Sequence, residues 1–293
     1  DVQEFQLRLM DNLISLHIDL KNKTYKHSPY HAFNISDPKP RNIHKASVRD
    51  RLLHHAIYRI LYPYFDKKFI HDSYSCRLGK GTHKAIERFK YFSRKVSKNN
   101  TKQCFVLKCD IRKFFASIDH NLLHYIVAKH VLNKDILWLL YQIIESFETS
   151  PNKGLPLGNL TSQLLVNVYM NEFDQFVKYK LKAKHYIRYA DDFVFLSNDR
   201  KELTHMRHGV NVFLRKKLKL GLHPDKVFIK TLSSGVDFLG WVHFPHHRVL
   251  RTVTKRRMMK NLANNQSKET KALYIGMLKW GNSYKIRQGI IKE

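Results

Sequence analysis

Hydrophobic residues recur with two different periods along this chain, and the two periods predict both helices and strands. Residues 3–22 place leucines and a phenylalanine at intervals close to 3.6 residues, which predicts an amphipathic helix. The runs HAFNI and RNIHKAS flank the turn SDPKP and predict a β-hairpin with basic residues at its tip. Asp50 to Phe69 predicts a second helix, which Pro63 is expected to break. A basic loop, SYSCRLGKGTHKAIERF, then enters a further helix.

The middle of the chain alternates short apolar runs with helical segments. CFVLKCDI (104–111) is typical of a buried strand, and HYIRYADDFVFLS (185–197) predicts two strands around a tight turn. A Gly/Pro loop at 154–159 precedes a helix for which Thr161 or Ser162 is the expected cap. The pattern predicts further helices near residues 120–132, 135–148 and 200–218, and two more short strands in KVFIKTL and GVDFLGWVHF. From residue 248 onward the pattern is helical, with 12 Lys or Arg against two Glu.

The charge of the chain favours a polyanionic partner. Its 53 Lys and Arg against 24 Asp and Glu give a formal net charge of +29, a field that attracts nucleic acid through counterion release. The 43% hydrophobic content and 36 aromatic residues exclude a disordered protein. A solubility or ribosome-like scaffold role and a membrane-surface role are the alternatives, although no amphipathic anchor is evident.

Other classes find little support. No apolar run approaches the roughly 20 residues of a membrane span, and the N-terminal residues lack a signal-peptide layout. The chain starts without Met. Three cysteines form neither a disulfide framework nor a zinc motif, so a reduced cytoplasmic setting is expected, and scattered histidines are a better explanation than zinc for His243, His246 and His247.

Candidate chemistry lies in three aspartates that interrupt apolar strands. Asp110 ends CFVLKCD, and Asp191 and Asp192 occupy the turn between HYIRYA and FVFLS. Burying such charges is unfavourable without a cation, and Mg²⁺ prefers hard oxygen ligands. Nucleotidyl transfer requires two such ions about 3.5–4 Å apart. Taken singly, Asp-Asp is a common turn dipeptide and Asp110 could be a strand-end cap, but the order of the three in one chain favours catalysis.

Six blocks in the same order resemble reverse transcriptases. YADDFVFL resembles the Tyr-x-Asp-Asp block, CDIRKFFASIDH the block with the first catalytic Asp, and GLPLGNLTSQLLVNVYMNEFD the block between them. GVDFLGWVHF resembles the primer grip, and SYSCRLGKGTHKAI and PKPRNIHKASVRDRLLHHAI resemble the two fingers blocks. The resemblance covers residues from about 25 to 245. It implies an α+β right-hand polymerase, with fingers at 1–100, a palm of antiparallel sheet and helices at 101–245, and a basic helical thumb at 246–293.

The resemblance also assigns the metal and nucleotide residues. Asp110, Asp191 and Asp192 would hold two Mg²⁺ ions, which Mn²⁺ can replace, with the backbone of Ile111 as a further ligand. Phe115 falls at the steric gate that selects deoxynucleotides, with a plain core Phe and a register error toward Phe114 as alternatives. Lys39, Arg41 and Arg77 would contact the incoming triphosphate, with a generic solvated charge as the alternative for each. Leu157, Gly158 and Gln163 are further positions that would contact the nucleotide. Lys226 is the candidate general acid for pyrophosphate release, with an ordinary exposed lysine as the alternative.

Primer and template contacts are implied in the same way. Tyr189 and Ala190 would touch the primer end, and Leu239, Gly240 and Trp241 would form the primer grip, with core packing of FLGW as the alternative. The basic C-terminal lobe would bind template-primer phosphates through Lys255, Arg256, Arg257 and Lys260.

One departure indicates a subclass. Group II intron enzymes read Gln-Gly-x-x-x-Ser-Pro where this chain has Leu157 and Gln163 in LGNLTSQ. The LGxxxSQ form resembles reverse transcriptases of diversity-generating retroelements, which are related to the group II intron enzymes. These bacterial, archaeal or phage enzymes copy a template-repeat RNA into cDNA with errors opposite adenine. The implied partners are template RNA, primer, cDNA, dNTPs and an oligomer of a small basic helical accessory protein. A defence-associated or other bacterial reverse transcriptase, an RNA-dependent RNA polymerase and an inactive nucleic-acid-binding scaffold remain the alternatives.

Overall fold

The computed structural model of the chain describes residues 1–36 and 40–292. Its helices are α1 (Val2–Leu7), α2 (Leu9–Lys21), α3 (Val48–Asp66), α4 (Thr82–Val96), α5 (His120–Ala128), α6 (Lys134–Glu145), α7 (Leu160–Gln175), α8 (Arg200–Leu218), α9 (Thr252–Asn264), α10 (Lys268–Leu278) and α11 (Tyr284–Lys292). Its strands are β1 (His31–Ile35), β2 (Arg41–Lys45), β3 (Phe105–Asp110), β4 (Tyr186–Tyr189), β5 (Asp192–Ser197), β6 (Phe228–Thr231), β7 (Val236–Phe238), β8 (Trp241–His243) and β9 (Arg248–Leu250). None of the helices in this described part is both long and apolar enough to cross a bilayer.

Two compact units divide the chain. Unit 1 contains residues 1–71, 111–181 and 211–222, and unit 2 contains residues 72–110, 182–210 and 223–293. The strands pair antiparallel within a two-stranded, a four-stranded and a three-stranded sheet, so the expected α+β class with an antiparallel sheet is confirmed. The division into fingers, palm and thumb stays a prediction.

Unit 1 is helical apart from the hairpin of β1 and β2, which forms where the sequence predicts it. Helix α3 buries an apolar stripe (Leu53, Ile57, Leu61 and Phe65) and packs against α7. Pro63 does not break α3, which continues to Asp66, because Pro63 lies in the last turn and only three residues of helix follow the kink that a proline favours. The single helix expected at 3–22 is instead two helices, because Arg8 leaves helical geometry at φ −122° and ψ 42°.

The start of α7 also differs from the expectation. Asn159 is the N-cap residue, and Thr161 and Ser162 lie buried in the first helical turn. The Asn159 side chain does not cap the helix, because its Nδ2 donates to the carbonyl of His44 at 2.8 Å. That bond ties the loop before α7 to β2.

Unit 2 is built on a four-stranded sheet in the order β4-β5-β3-β6. Helix α4 covers one face and contributes Ala85, Phe89, Phe92 and Val96 to a core shared with apolar side chains from β3, β4 and β5. The spacing of those four residues places them on one side of the helix. Burial of that stripe attaches α4 to the sheet and leaves its charged side exposed.

A second sheet in unit 2 contains β7, β8 and β9. GVDFLGWVHF, expected as one strand, is a hairpin in which Phe238 pairs with Trp241 and the turn residues Leu239 and Gly240 have φ of 51° and 86°. Two positive φ angles in a two-residue turn match the right-handed twist of the flanking strands. Arg248–Leu250, expected to be helical, is strand β9, because it pairs with β8.

Trp241 joins this sheet to the C-terminal helices. It is 4% exposed and packs in a cluster with Leu250, Met258 and Leu278. A Cβ placed on Gly281 would lie 1.9 Å from Cζ3 of the indole. Only glycine therefore allows this close approach of backbone to ring.

Candidate active site

The four-stranded sheet brings two of the three candidate aspartates face to face. Strands β3 and β5 pair antiparallel so that Asp110, the last residue of β3, lies opposite Asp192, the first residue of β5. Strand β4 pairs with the other edge of β5, with Tyr189 opposite Asp192. Directly opposed residues have Cβ atoms about 4.5–5.5 Å apart. The sheet therefore holds both carboxylates at one end.

The third aspartate lies in the turn that joins β4 to β5. Ala190 and Asp191 form a two-residue turn, as the sequence predicts. Ala190 has φ of 55°, a region that residues with a Cβ enter at a penalty of about 1 kcal/mol or more. The turn is thus strained at the residue next to Asp191, and its conformation depends on surrounding contacts.

Arg188 supplies such a contact. It is one of the largest fully buried side chains, at 0% exposure. Its Nη1 donates to the carbonyl oxygen of Ala190 at 3.2 Å, and its Nη2 donates to Ser73 Oγ at 3.0 Å. Its backbone N–H donates to Asp72, and Tyr74 N–H donates to its carbonyl. The guanidinium therefore fixes the turn from inside the unit.

Asp192 occupies an unfavourable environment for a negative charge. Its Oδ1 is buried with no hydrogen-bond partner, and its Oδ2 lies 3.4 Å from the Lys108 Nζ. Burial raises the pKa of Asp192 to about 7, and the negative charges of Asp110 and Asp191 add to the rise while Lys108 opposes it. A cation at Oδ1 would relieve this destabilisation of the charged form.

Asp110 is also paired with a lysine. The Lys226 Nζ lies 3.3 Å from Asp110 Oδ1 and 3.4 Å from Oδ2. The backbone N–H of His223 donates to the Asp110 carbonyl oxygen at 2.8 Å, which places the segment carrying Lys226 against the end of β3. Lys226, singled out from the sequence, is thus within ion-pair distance of a candidate metal ligand.

The donors fit a hard divalent cation in their chemistry. Mg²⁺ binds carboxylate oxygens, and Asp192 Oδ1 is an oxygen that lacks any other partner. Within residues 1–36 and 40–292, however, no three His, Cys, Asp or Glu side chains form a group ready to hold an ion. The ammonium groups of Lys108 and Lys226 lie against the two opposed carboxylates instead.

Unit 1 carries several of the predicted nucleotide contacts. Phe114 is buried at 3% exposure whereas Phe115 is half-buried, so of the two phenylalanines Phe115 has the more accessible ring. Gly158 has φ of 104°, and a Cβ there would lie 2.8 Å from Ile43 Cγ2. The Leu157 carbonyl accepts a hydrogen bond from the backbone N–H of His44 at 3.0 Å.

The remaining predicted positions in unit 1 differ in exposure. Gln163 is half-buried, Arg41 is exposed and Ile111 is buried. Lys39 lies outside the described residues.

The other predicted contacts are in unit 2. Arg77 Nη1 donates to the Ser73 carbonyl at 3.0 Å, and the Tyr189 hydroxyl accepts from Thr82 Oγ1 at 3.2 Å. Leu239 and Gly240 are half-buried at their turn, whereas Trp241 belongs to the core. The basic side chains singled out on α9 are exposed at Lys255, Arg256 and Lys260 and half-buried at Arg257. The functional roles of these residues stay predictions.

Sequence reasoning missed Lys108 and Arg188. Both are charged residues inside apolar strand segments, FVLKCD and HYIRYA. Lys108 is 7% exposed and Arg188 is 0% exposed. Because a buried cation in a strand needs a partner, this placement alone marks both residues as candidates for a buried polar contact, although it does not identify the partner.

Residues 26–243 match the family model described as reverse transcriptase (RNA-dependent DNA polymerase). The chain belongs to the reverse transcriptase family. The matched stretch contains the opposed aspartates, the strained turn and both lysines that pair with the carboxylates. This family membership confirms the resemblance seen in the sequence at the level of RNA-directed DNA polymerases.

The chain is also similar to individual proteins and to a solved structure. Protein YkfC of Escherichia coli is 26% identical over 286 residues, covering 84% of this chain and 73% of that protein. The group II intron-encoded protein LtrA of Lactococcus lactis is 22% identical over 312 residues, covering 82% of this chain and 50% of that protein. The chain therefore spans about half the length of LtrA. Apo telomerase from Candida tropicalis, truncated from its C-terminal domain, shares the fold with a TM-score of 0.58 at 11% identity, covering 83% of this chain and 60% of that one.

Proposed function

We propose that this chain is an RNA-directed DNA polymerase whose reaction takes place at Asp110, Asp191 and Asp192. The observation that carries the proposal is the opposition of Asp110 and Asp192 across β3 and β5, with the buried Asp192 Oδ1 lacking a partner. Membership of the reverse transcriptase family supports it. The three carboxylates would hold two Mg²⁺ ions, which lower the pKa of the attacking hydroxyl and neutralise charge on the leaving pyrophosphate.

The protein residues then have distinct tasks. Arg188 holds the turn through the Ala190 carbonyl, so that Asp191 and Asp192 keep a fixed spacing from Asp110. Lys226, beside Asp110, is the proposed donor of the proton that pyrophosphate takes up. Phe115 is the proposed gate against a ribose 2′-hydroxyl.

A primer-extension assay with an RNA template, a DNA primer, Mg²⁺ and all four dNTPs tests the activity. Asp191→Ala should abolish extension, since it removes one of the three carboxylates that would hold the two ions. Asp199→Asn is the matched control, because Asp199 is an exposed acid just beyond the far end of β5. Equal extension by wild type and Asp191→Ala would refute the assignment of the site. No extension by any of the proteins, with the RNA of its own locus supplied as well, would favour the nucleic-acid-binding scaffold.

We further propose that the enzyme belongs to the diversity-generating class and copies a template-repeat RNA with errors opposite adenine. Leu157 and Gln163 in LGNLTSQ support this subclass. Leucine at position 157 replaces an amide side chain that can donate and accept hydrogen bonds beside the nascent base pair. Without those hydrogen bonds the site would discriminate less strictly between correct and incorrect base pairs. A small basic helical accessory protein is a proposed partner on the same grounds.

The similarity to LtrA favours a second candidate, an intron-type reverse transcriptase that copies without this bias. Sequencing the cDNA made on an adenine-rich RNA separates the two candidates. Errors concentrated opposite adenine, and reduced by Leu157→Gln, would support the diversity-generating class. Accurate copying by the wild type would support the intron-type candidate, and an error spectrum that Leu157→Gln leaves unchanged would refute the role of Leu157.

A further inference from the structure

Unit 2 has a basic concave surface far from the aspartates. Four lysines, from the end of α4 and from the segment before β4, line a cavity of about 340 Å³: Lys95, Lys98, Lys182 and Lys184. An adjoining cavity of about 620 Å³ shares Lys95 and Lys184 and adds Tyr91. We call these four lysines and Tyr91 the α4 basic surface.

The lysines of this surface are not neutralised. Across residues 1–36 and 40–292, none of the four lies within ion-pair distance of a carboxylate. Glu202 is the acid that lines the first cavity, and it accepts a hydrogen bond from Ser197. Arg88, which lines the second cavity, is already paired with Asp72 at 2.8 Å. The positive charge that remains available therefore belongs to the lysines.

Tyr91 adds an aromatic surface to this charge. Its residue is 52% exposed, although α4 buries the phenylalanines on its other side. The Arg88 guanidinium lies 5.2 Å from the ring centroid, and the Lys95 Nζ lies 5.9 Å from it. An exposed ring flanked by cations is suited to stacking with a base whose phosphates the cations contact.

The α4 basic surface is separate from the active-site end of the sheet. Strand β5 begins at Asp192 and ends at Ser197, which lines the first cavity. Five steps of about 3.3 Å place the cavity roughly 17 Å from Asp192 along the strand. The two features lie at opposite ends of one sheet.

We propose that the α4 basic surface binds a single-stranded segment of RNA outside the stretch being copied. The lysines would contact successive phosphates, and a base would stack on Tyr91. Single-stranded RNA fits better than an acidic protein, because an acidic peptide would use the lysines and leave the exposed ring without a role. The choice of RNA as the occupant rests on the proposed function, which makes an RNA template the obligatory partner.

The test measures binding of a fluorescein-labelled single-stranded RNA, without primer or dNTPs, over a range of KCl concentrations. Each phosphate contact contributes about 0.7 to the slope of log K against log salt, so replacing all four lysines by Ala should reduce the slope by about 3. The matched control replaces Lys21, Lys26, Lys216 and Lys217, four exposed lysines of unit 1, by Ala. Tyr91→Ala should weaken binding about tenfold and leave the slope unchanged.

Several results would overturn the proposal. Equal slopes for the two quadruple variants would show that the lysines of this surface are no different from other exposed lysines. Binding of polyglutamate that depends on the four lysines, with RNA binding unaffected, would identify an acidic protein as the occupant. Extension of a short primed template should stay at the wild-type rate in the surface variant. Failure of the wild type to extend, with the RNA of its own locus supplied as well, would refute the polymerase proposal and leave the binding result intact.

Discussion

Arg188→Lys tests whether a buried cation positions the aspartate turn. The guanidinium has no exposed area and bonds both Ala190 and Ser73, at 3.2 and 3.0 Å. Lysine carries a single ammonium group on a shorter reach, so it cannot keep both bonds. The bond to the Ala190 carbonyl is the one that acts on the turn.

The magnitudes follow from those two bonds. A hydrogen bond from a charged group contributes about 1.5–3 kcal/mol, so losing one should lower the free energy of unfolding by that amount. The effect on catalysis should be larger than the stability loss suggests, because Ala190 has a strained φ of 55° and would relax without its anchor. A displacement of about 1 Å at a reacting group can reduce the rate about 100-fold. We expect kcat to fall by about that factor, with KM for dNTP changed only a few-fold.

The assay combines single-nucleotide incorporation with thermal unfolding. Ser73→Ala is the control, because it removes the 3.0 Å partner of Arg188 and leaves the bond to Ala190. Both variants should lose stability, and only Arg188→Lys should lose kcat. Two results would contradict the reasoning: a wild-type kcat for Arg188→Lys, or an equal fall in kcat for Ser73→Ala.

Three further predictions concern stability. Burial lowers the pKa of His243 from 6.5 to about 4, so between those values the proton binds the unfolded state and not the folded one. His243 should therefore contribute a loss of about 2 kcal/mol to the free energy of unfolding between pH 7.5 and 5, and the change measured in urea titrations of His243→Gln should differ from the wild-type change by that amount; identical pH dependence of the two proteins would contradict the burial of a neutral His243. Gly281→Ala should lower the unfolding free energy by at least about 1–3 kcal/mol, because its Cβ would lie 1.9 Å from the indole of Trp241, and an unchanged melting temperature would contradict that packing. Tyr169→Phe should lower the free energy of unfolding by about 1–3 kcal/mol in chemical denaturation, because it removes the hydroxyl that donates a 2.7 Å hydrogen bond to the Leu218 carbonyl inside the core. An unchanged free energy of unfolding would contradict a contribution of this hydrogen bond to stability.

Local patterns were sufficient to predict most of the elements. The apolar run at 104–111 and the alternation around YADD predicted β3, β4 and β5 and the tight turn between the last two. The failures were at positions where neighbours in space decide the outcome. Arg248–Leu250 has a helical pattern but forms a strand, because it pairs with the edge of β8. Pro63 is tolerated within α3, because the helix ends three residues later.

The site was predictable to the extent that its residues lie close together in the sequence. The aspartates could be found because each one ends or joins a strand whose apolar character is visible locally. Lys108 and Arg188 were missed because their partners depend on strand register, which no single segment reveals. The α4 basic surface was missed for the same reason, because its lysines come from two segments more than 80 residues apart.

The environment of Asp192 bears on the choice between an enzyme and an inactive scaffold. A rise in its pKa from 3.8 to about 7 means that the ionised carboxylate destabilises the folded state by about 4 kcal/mol at a pH above 7. Asparagine has nearly the same shape and would remove that charge. A scaffold that only binds nucleic acid would lose nothing in its task from such a substitution, because the anionic oxygen of Asp192 has no part in that task. A site that binds metal ions needs the anionic oxygen, and the cation restores the lost stability when it binds. An aspartate with an unpartnered buried oxygen therefore fits a working polymerase, in which a bound cation would contact that oxygen, better than an inactive scaffold.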